Sequence, residues 1–100
     1  MKLNLIYITA ADKKEALSLG KKIVEEKLAA CVNVIDKMES IYFWEGKLRH
    51  GKEAVLIVKA RESNNEKIIR RVKELHSYSC PAILVLPITD GNKDYLKWLS

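Results

Sequence analysis

A chain of 100 residues is expected to form one domain over residues 1–100, its core taking roughly 60–70% of the extended surface out of water. At 48% hydrophobic and 31% charged it is a folding rather than a disordered composition, and no apolar run approaches the ~20 residues of a membrane span. The formal net charge of +5 invites a nucleic-acid reading, but most basic residues interleave with glutamates in "DKKEALSLGKKIVEEK" and "NNEKIIRRVKEL", the pattern of solvated helix faces, so nucleic acid is disfavoured as a partner.

The start, "MKLNLIYITA", is too short and too mixed for a signal peptide, so a cytoplasmic location and no membrane partner are expected. Lys2–Ala10 carries apolar residues on both alternating faces and reads as an interior strand. Asp12, with Glu15 after it, resembles a capping box and opens a helix. Ala16, Gly20, Ile23 and Lys27 run down one line of that helix, with Leu17, Val24 and Leu28 beside it. Gly20 costs about 1 kcal/mol relative to alanine in a helix, and a close helix–sheet contact would account for it. "CVNVIDKMESIYFWEGKL" is long for one strand, with a bulge or bend expected at Asp36-Lys37. "EGKLRHGKE" reads as a polar connection that makes the flanking strands a hairpin.

"EAVLIVKARE" is a third strand, apolar on both faces and hence central. "NNEKIIRRVKELH" is a second helix, capped by Asn64 or Asn65, with Ile68, Ile69, Val72 and Leu75 as its apolar face. "PAILVLPI" is a fourth strand, placed at an edge by Pro87. Asn92 caps a short final helix carrying Tyr95, Leu96, Trp98 and Leu99.

This order predicts an α+β fold, a ferredoxin-like βαββαβ sandwich with strand order 4-1-3-2 and a short C-terminal helix. Both helices cover one sheet face. The other face is uncovered yet still apolar. RNA binding would use aromatics on the central strands, but the third strand has none and the first has only Tyr7. Tyr42, Phe43 and Trp44 cluster on the second strand instead. An interface between copies of the chain would remove the aggregation hazard of an exposed apolar sheet. A ligand site is the third reading. It rests on Lys59 in an apolar strand, set against the alternative that its head simply reaches water. Alternation puts Ile41 and Phe43 on one side and Tyr42 and Trp44 on the other. One pair is expected in the subunit core, the other against a neighbouring chain or its cleft.

Taken together these segments resemble the CutA family, named for divalent-cation tolerance, over essentially the whole chain. "TAAD" is similar to its first-strand ending and "EEKLAACVNVI" to its helix-to-strand segment. "SIYFWEGKL" resembles its S-x-Y-x-W-x-G-K stretch, and "KEAVLIVKAR" its third strand. "ELHSYSCPAILVLPI" is similar to H-P-Y-x-x-P-E-I-x-x-L-P-I, and "GNKDYLKWL" to the ending G-N-x-x-Y-L-x-W. The resemblance implies a ferredoxin-like subunit in a tight homotrimer, with a long hairpin between strands two and three reaching across. It also implies a link to copper and other divalent ions. Similarity in architecture to the trimeric PII signalling proteins keeps a small-molecule sensor as the alternative. Ser77 departs from the family's proline, Ser79 and Cys80 from its Glu-Val, and Ala82 from its glutamate, so a site completed by that glutamate is missing here. The cysteine that some relatives place before the first-strand threonine, implicated in copper binding, is Ile8 here.

His76, at the family's H-P-Y histidine, is the metal candidate, since imidazole suits copper and zinc. The competing reading is a cap on the second helix. Cys31 and Cys80 are too few for a disulfide framework. Their expected separation of roughly 20 Å excludes a bond within one chain. Cys31 reads as a small buried hydrophobe. His50 falls in the polar connection and is expected in water. No nucleophile–base pair, phosphate loop or paired carboxylate is visible, which disfavours an enzyme. The expected interface pocket comprises Tyr42, Trp44, Glu45, Lys59 and Tyr78, with His76 nearest any metal. The expected function is a trimeric, copper-type divalent-metal binding protein of metal-ion tolerance, without an organic cofactor.

Overall fold

Apolar residues on both faces of β1 (Leu3–Ala10) place it inside the sheet, paired antiparallel on both sides. The structure, a computed structural model, describes residues 2–100. After β1 come α1 (Lys13–Glu25), β2 (Cys31–Trp44), β3 (Lys47–Arg61), a 3-10 turn (Glu62–Asn64), α2 (Asn65–Leu75), β4 (Ile83–Ile88) and α3 (Lys93–Leu99). The sheet order is β2-β3-β1-β4, the expected order read from its other edge. Pro87 sits in the edge strand β4, where a missing N–H is tolerated. Ile6, Ile8 and Ala10 of β1 and Ala54, Leu56, Val58 and Ala60 of β3 share one face and are buried with Ala16, Leu19 and Ile23 of α1 and Ile68 and Val72 of α2.

Asp12 Oδ1 accepts from the Glu15 N–H at 2.8 Å, while Glu15 Oε1 accepts from the Ala11 N–H at 2.9 Å, one residue earlier than a regular capping box places it. Gly20 lies against the sheet: an added Cβ would stand 2.9 Å from Val32 Cγ2 and 3.0 Å from Leu56 Cδ1. The expectation that α1 runs on past Lys27 is corrected. It ends at Glu25 because Lys27 adopts a left-handed φ of 60°, with Lys27 N–H donating to Val24 O and Leu28 N–H to Ile23 O. These are the two bonds of a Schellman motif, with lysine in glycine's usual place. The stripe that meets the sheet is Ala16, Leu19, Gly20 and Ile23, at i, i+3, i+4 and i+7, so Leu17 and Val24 fall outside it and stay exposed. Asn64 precedes α2 without capping it; its side-chain amide donates to Leu28 O at 3.0 Å.

The Asp36-Lys37 irregularity is present. The β2–β3 register shifts between Ile35 and Met38, and Lys37 has φ 61°. The polar connection is corrected. "EGKLRHGKE" is strand except for a turn at Glu45 and Gly46, whose φ values of 51° and 74° match the tight hairpin turns that follow strand twist. His50 therefore lies in β3, still exposed, with Nε2 3.0 Å from Glu39 Oε1. The continuous hairpin projects past the helices and stretches the molecule to 45 × 25 × 21 Å. For that reason neither pair enters the core of the chain: Ile41 and Phe43, on the helix-facing side, are 68% and 75% exposed with no helix over them.

Candidate functional site on the uncovered sheet face

The bulge decides which aromatics meet the ligand-sized space. Before it, Cys31, Asn33 and Ile35 share the uncovered face with Lys59, Ile57 and Val55; after it, Met38, Ser40, Tyr42 and Trp44 do. Tyr42 and Trp44 then line a cavity of about 420 Å³ with Thr9 of β1, Glu53 of β3, and Tyr78, Ser79, Cys80 and Ala82 of the segment before β4. The Tyr78 hydroxyl donates to Glu53 Oε2 at 2.8 Å. Burial, and then this bond to a carboxylate, push the Tyr78 phenol well above its ordinary range, so it remains a neutral donor.

The segment 76–82 is pinned to the sheet through His76 and to the first turn of α1 through Glu15. The His76 side chain is wholly buried. Its Nδ1 accepts from the Tyr78 N–H at 3.0 Å, which places the ring proton on Nε2, 2.7 Å from the Thr9 carbonyl that accepts it. Glu15 Oε1 is 3.9 Å from Nδ1, beyond hydrogen-bond reach, so the amide contact fixes the tautomer. The ring also packs on Tyr78, centroids 4.7 Å apart. It does not cap α2. Glu15 Oε2 accepts from the Ser77 N–H at 2.9 Å. Burial works against its ionisation, but the amides of Ala11 and Ser77 outweigh it and hold the carboxyl below its ordinary value.

A carboxyl with a depressed folded pKa stabilises above its unfolded value and loses that contribution as pH falls through the folded one. Glu15→Gln should thus cost about 1.5–3 kcal/mol at neutral pH. The gap between parent and variant should shrink as pH drops below the ordinary 4.5. Denaturation midpoints of both proteins, taken at neutral and acid pH, test this. A gap that is constant with pH would contradict the assignment.

Within one chain the structure brings Tyr42, Trp44 and Tyr78 together, with His76 directly behind Tyr78. Glu45 sits at the hairpin turn and Lys59 elsewhere on the same face, and neither lines the cavity. Lys59 Nζ donates to the Tyr95 hydroxyl at 3.0 Å, which holds its pKa above the ordinary lysine range. Tyr95 in turn stacks on Trp98, centroids 5.7 Å apart. Sequence reasoning missed Thr9, Glu53 and Cys80. Glu53 was discoverable from alternation, since it shares a strand face with Val55, Ile57 and Lys59. Both cysteines are free. Among the described residues no three His, Cys, Asp or Glu side chains converge to hold a metal ion. Among them, no helix is long and apolar enough to cross a membrane.

The fold and this site define a ferredoxin-like α+β chain with one bare sheet face and an aromatic cavity at its side. The chain belongs to the CutA1 divalent ion tolerance protein family, whose family model matches residues 4–100. It is 43% identical over 96 residues to the chloroplastic protein CutA 1 of Oryza sativa subsp. japonica, covering 96% of this chain and 54% of that one, so it spans about half the length of that relative. The crystal structure of CutA1 from Oryza sativa superposes with a TM-score of 0.95 at 41% identity, covering 99% of this chain and 91% of that one. The periplasmic divalent cation tolerance protein CutA from Archaeoglobus fulgidus does so with a TM-score of 0.93 at 41% identity, covering 97% and 94%.

Proposed function

We propose that this chain is a single CutA-like domain that assembles as a homotrimer, binds divalent metal of the copper type and serves metal-ion tolerance by binding rather than by catalysis. A cytoplasmic site of action belongs to the same proposal; the relatives named above are described as chloroplastic and periplasmic. The observation that carries the assembly is the uncovered face, where Leu84 and Leu86 on the β4 edge and Ile35, Tyr42 and Trp44 on the β2 edge all stand exposed. Burying such a face against like copies is the economical way to keep it from open-ended association.

For the metal, the residues of one chain do not form a ready site. Both ring nitrogens of His76 are engaged, so the ring must release the Tyr78 amide before Nδ1 can coordinate, with the Glu15 carboxylate 3.9 Å away as its nearest acidic neighbour. Further ligands would come from a second subunit. Copper titration of the parent and of His76→Ala tests this: the variant should lose stoichiometric binding, and unchanged affinity and stoichiometry would remove His76 from the site. Light scattering at micromolar concentration should give the mass of three chains, and a stable monomer would overturn the assembly.

The cavity itself favours a second reading, a PII-like small-molecule sensor, because three aromatic side chains around one carboxylate suit an organic ligand better than a bare ion. Thermal-shift screening with metals and nucleotides in parallel separates the two, since each stabilises only what binds it.

A further inference from the structure

The geometry points to a small organic cation of the quaternary-ammonium class as the ligand of this cavity, held by the Glu53 carboxylate among the rings of Tyr42, Trp44 and Tyr78. The inference rests on the small-molecule reading of the site and names its ligand chemistry. Glu53 is the only charged residue in the lining. Its Oε2 accepts from Tyr78, a neutral donor that supplies no countercharge. Within one chain, the ion pairs among the described residues join other carboxylates, Glu15, Glu26, Glu39 and Glu74, to their partners and leave Glu53 out. A half-buried carboxylate without a cation is unfavourable, and a cation placed beside it relieves that cost.

The remaining walls select the kind of cation. Aromatic rings attract a positive charge through their quadrupoles, most effectively one that sheds its water readily. Quaternary ammonium does so, whereas a small hard ion such as magnesium or calcium needs oxygen donors to replace its hydration shell. Here the hydroxyls of Thr9, Ser79 and Tyr78 offer a hard ion no second charged ligand beside Glu53, and the Cys80 thiol is a soft-metal donor that the copper titration judges separately. Anions are opposed by Glu53 itself. Arg49 and Lys47 stand across the strand pair from Tyr42 and Trp44, exposed and outside the lining. Their charges favour a ligand whose cationic end lies against Glu53 and whose neutral or anionic end points outward. Choline and glycine betaine have that form, and the volume of about 420 Å³ accommodates either.

The test uses the full chain carrying Trp98→Phe, which leaves Trp44 as the one tryptophan of the two and keeps the cavity lining intact. Trp44 fluorescence is titrated with choline, glycine betaine, the neutral choline isostere 3,3-dimethylbutan-1-ol, and ATP as an anion. Choline or glycine betaine should give a saturable change, with the isostere and ATP at least roughly tenfold weaker. Glu53→Gln should weaken choline binding by roughly tenfold or more, and Tyr42→Leu should weaken it while leaving the Glu53 pairing in place. Circular dichroism melts verify that both variants are folded. Equal binding of choline and its isostere, tighter binding of ATP, or unchanged affinity in both variants overturns the cation assignment while the small-molecule reading stands. No saturable change with any probe overturns both. Copper titration of the same proteins judges the metal reading separately.

Discussion

Leu84→Lys is expected to yield a folded chain that no longer assembles. Leu84 is 58% exposed on the uncovered face of an edge strand, opposite Tyr7, so within one chain a lysine there keeps its ammonium in water. Edge strands tolerate lysine. The same lysine buried between subunits would lack a countercharge, at a cost of several kcal/mol. Symmetry repeats that cost at every equivalent interface, and each ~1.4 kcal/mol is a factor of ten in the dissociation constant. Under the proposed assembly, light scattering should report a monomer for the variant and the mass of three chains for the parent, with unchanged far-ultraviolet circular dichroism. A variant of the parent's mass would show that this face is not the interface.

Gly20→Val should destabilise the fold by about 3 kcal/mol or more. A bare Cβ at this position already stands 2.9 Å from Val32 and 3.0 Å from Leu56, and Leu56 is fully buried with no room to retreat. Alanine brings a helix-propensity gain of about 1 kcal/mol that offsets part of an overpacking cost of about 1–3 kcal/mol. Valine adds two further methyl groups and a β-branch that helices disfavour, so α1 must lift off the sheet. Chemical denaturation at fixed protein concentration measures the effect, because assembly makes apparent stability concentration-dependent. An unshifted midpoint would mean that α1 can slide freely on β2 and β3.

Much of the architecture was legible because each signal is local. Asp12 and Asn92 cap their helices as their side-chain chemistry suggests, Pro87 marks an edge, and Gly20 marks a close contact. Where sequence reading went astray, the deciding term was elsewhere. Lys27 ends α1 in a conformation that lysine disfavours because Leu28 then reaches the core and two carbonyls of the last turn gain donors. "KLRHGKE" looked like a loop by polarity, but a two-residue turn lets it continue the ladder, and pairing rather than hydrophobicity makes it strand.

The candidate site was half visible. Tyr42, Trp44 and Tyr78 stood out as aromatics and do meet. Glu53 did not stand out, because nothing local separates a surface glutamate from one that receives a tyrosine hydroxyl from a segment 25 residues away. His76 read as a metal candidate or a helix cap, and only the fold brings the Thr9 carbonyl, 67 residues away in sequence, to its Nε2.

By itself the sequence determined the two-faced central strands β1 and β3, the helix-covered face and the existence of a bare one, since these follow from apolar alternation at periods that the backbone enforces. The tertiary structure alone decided which aromatics occupy that bare face. The bulge at Asp36-Lys37 inverts the alternation of β2, so Tyr42 and Trp44 turn to the side where Tyr78 and Glu53 arrive. The hairpin's reach beyond the helices leaves Ile41 and Phe43 without a core to enter, because burial depends on what lies opposite a side chain and not on the side chain alone.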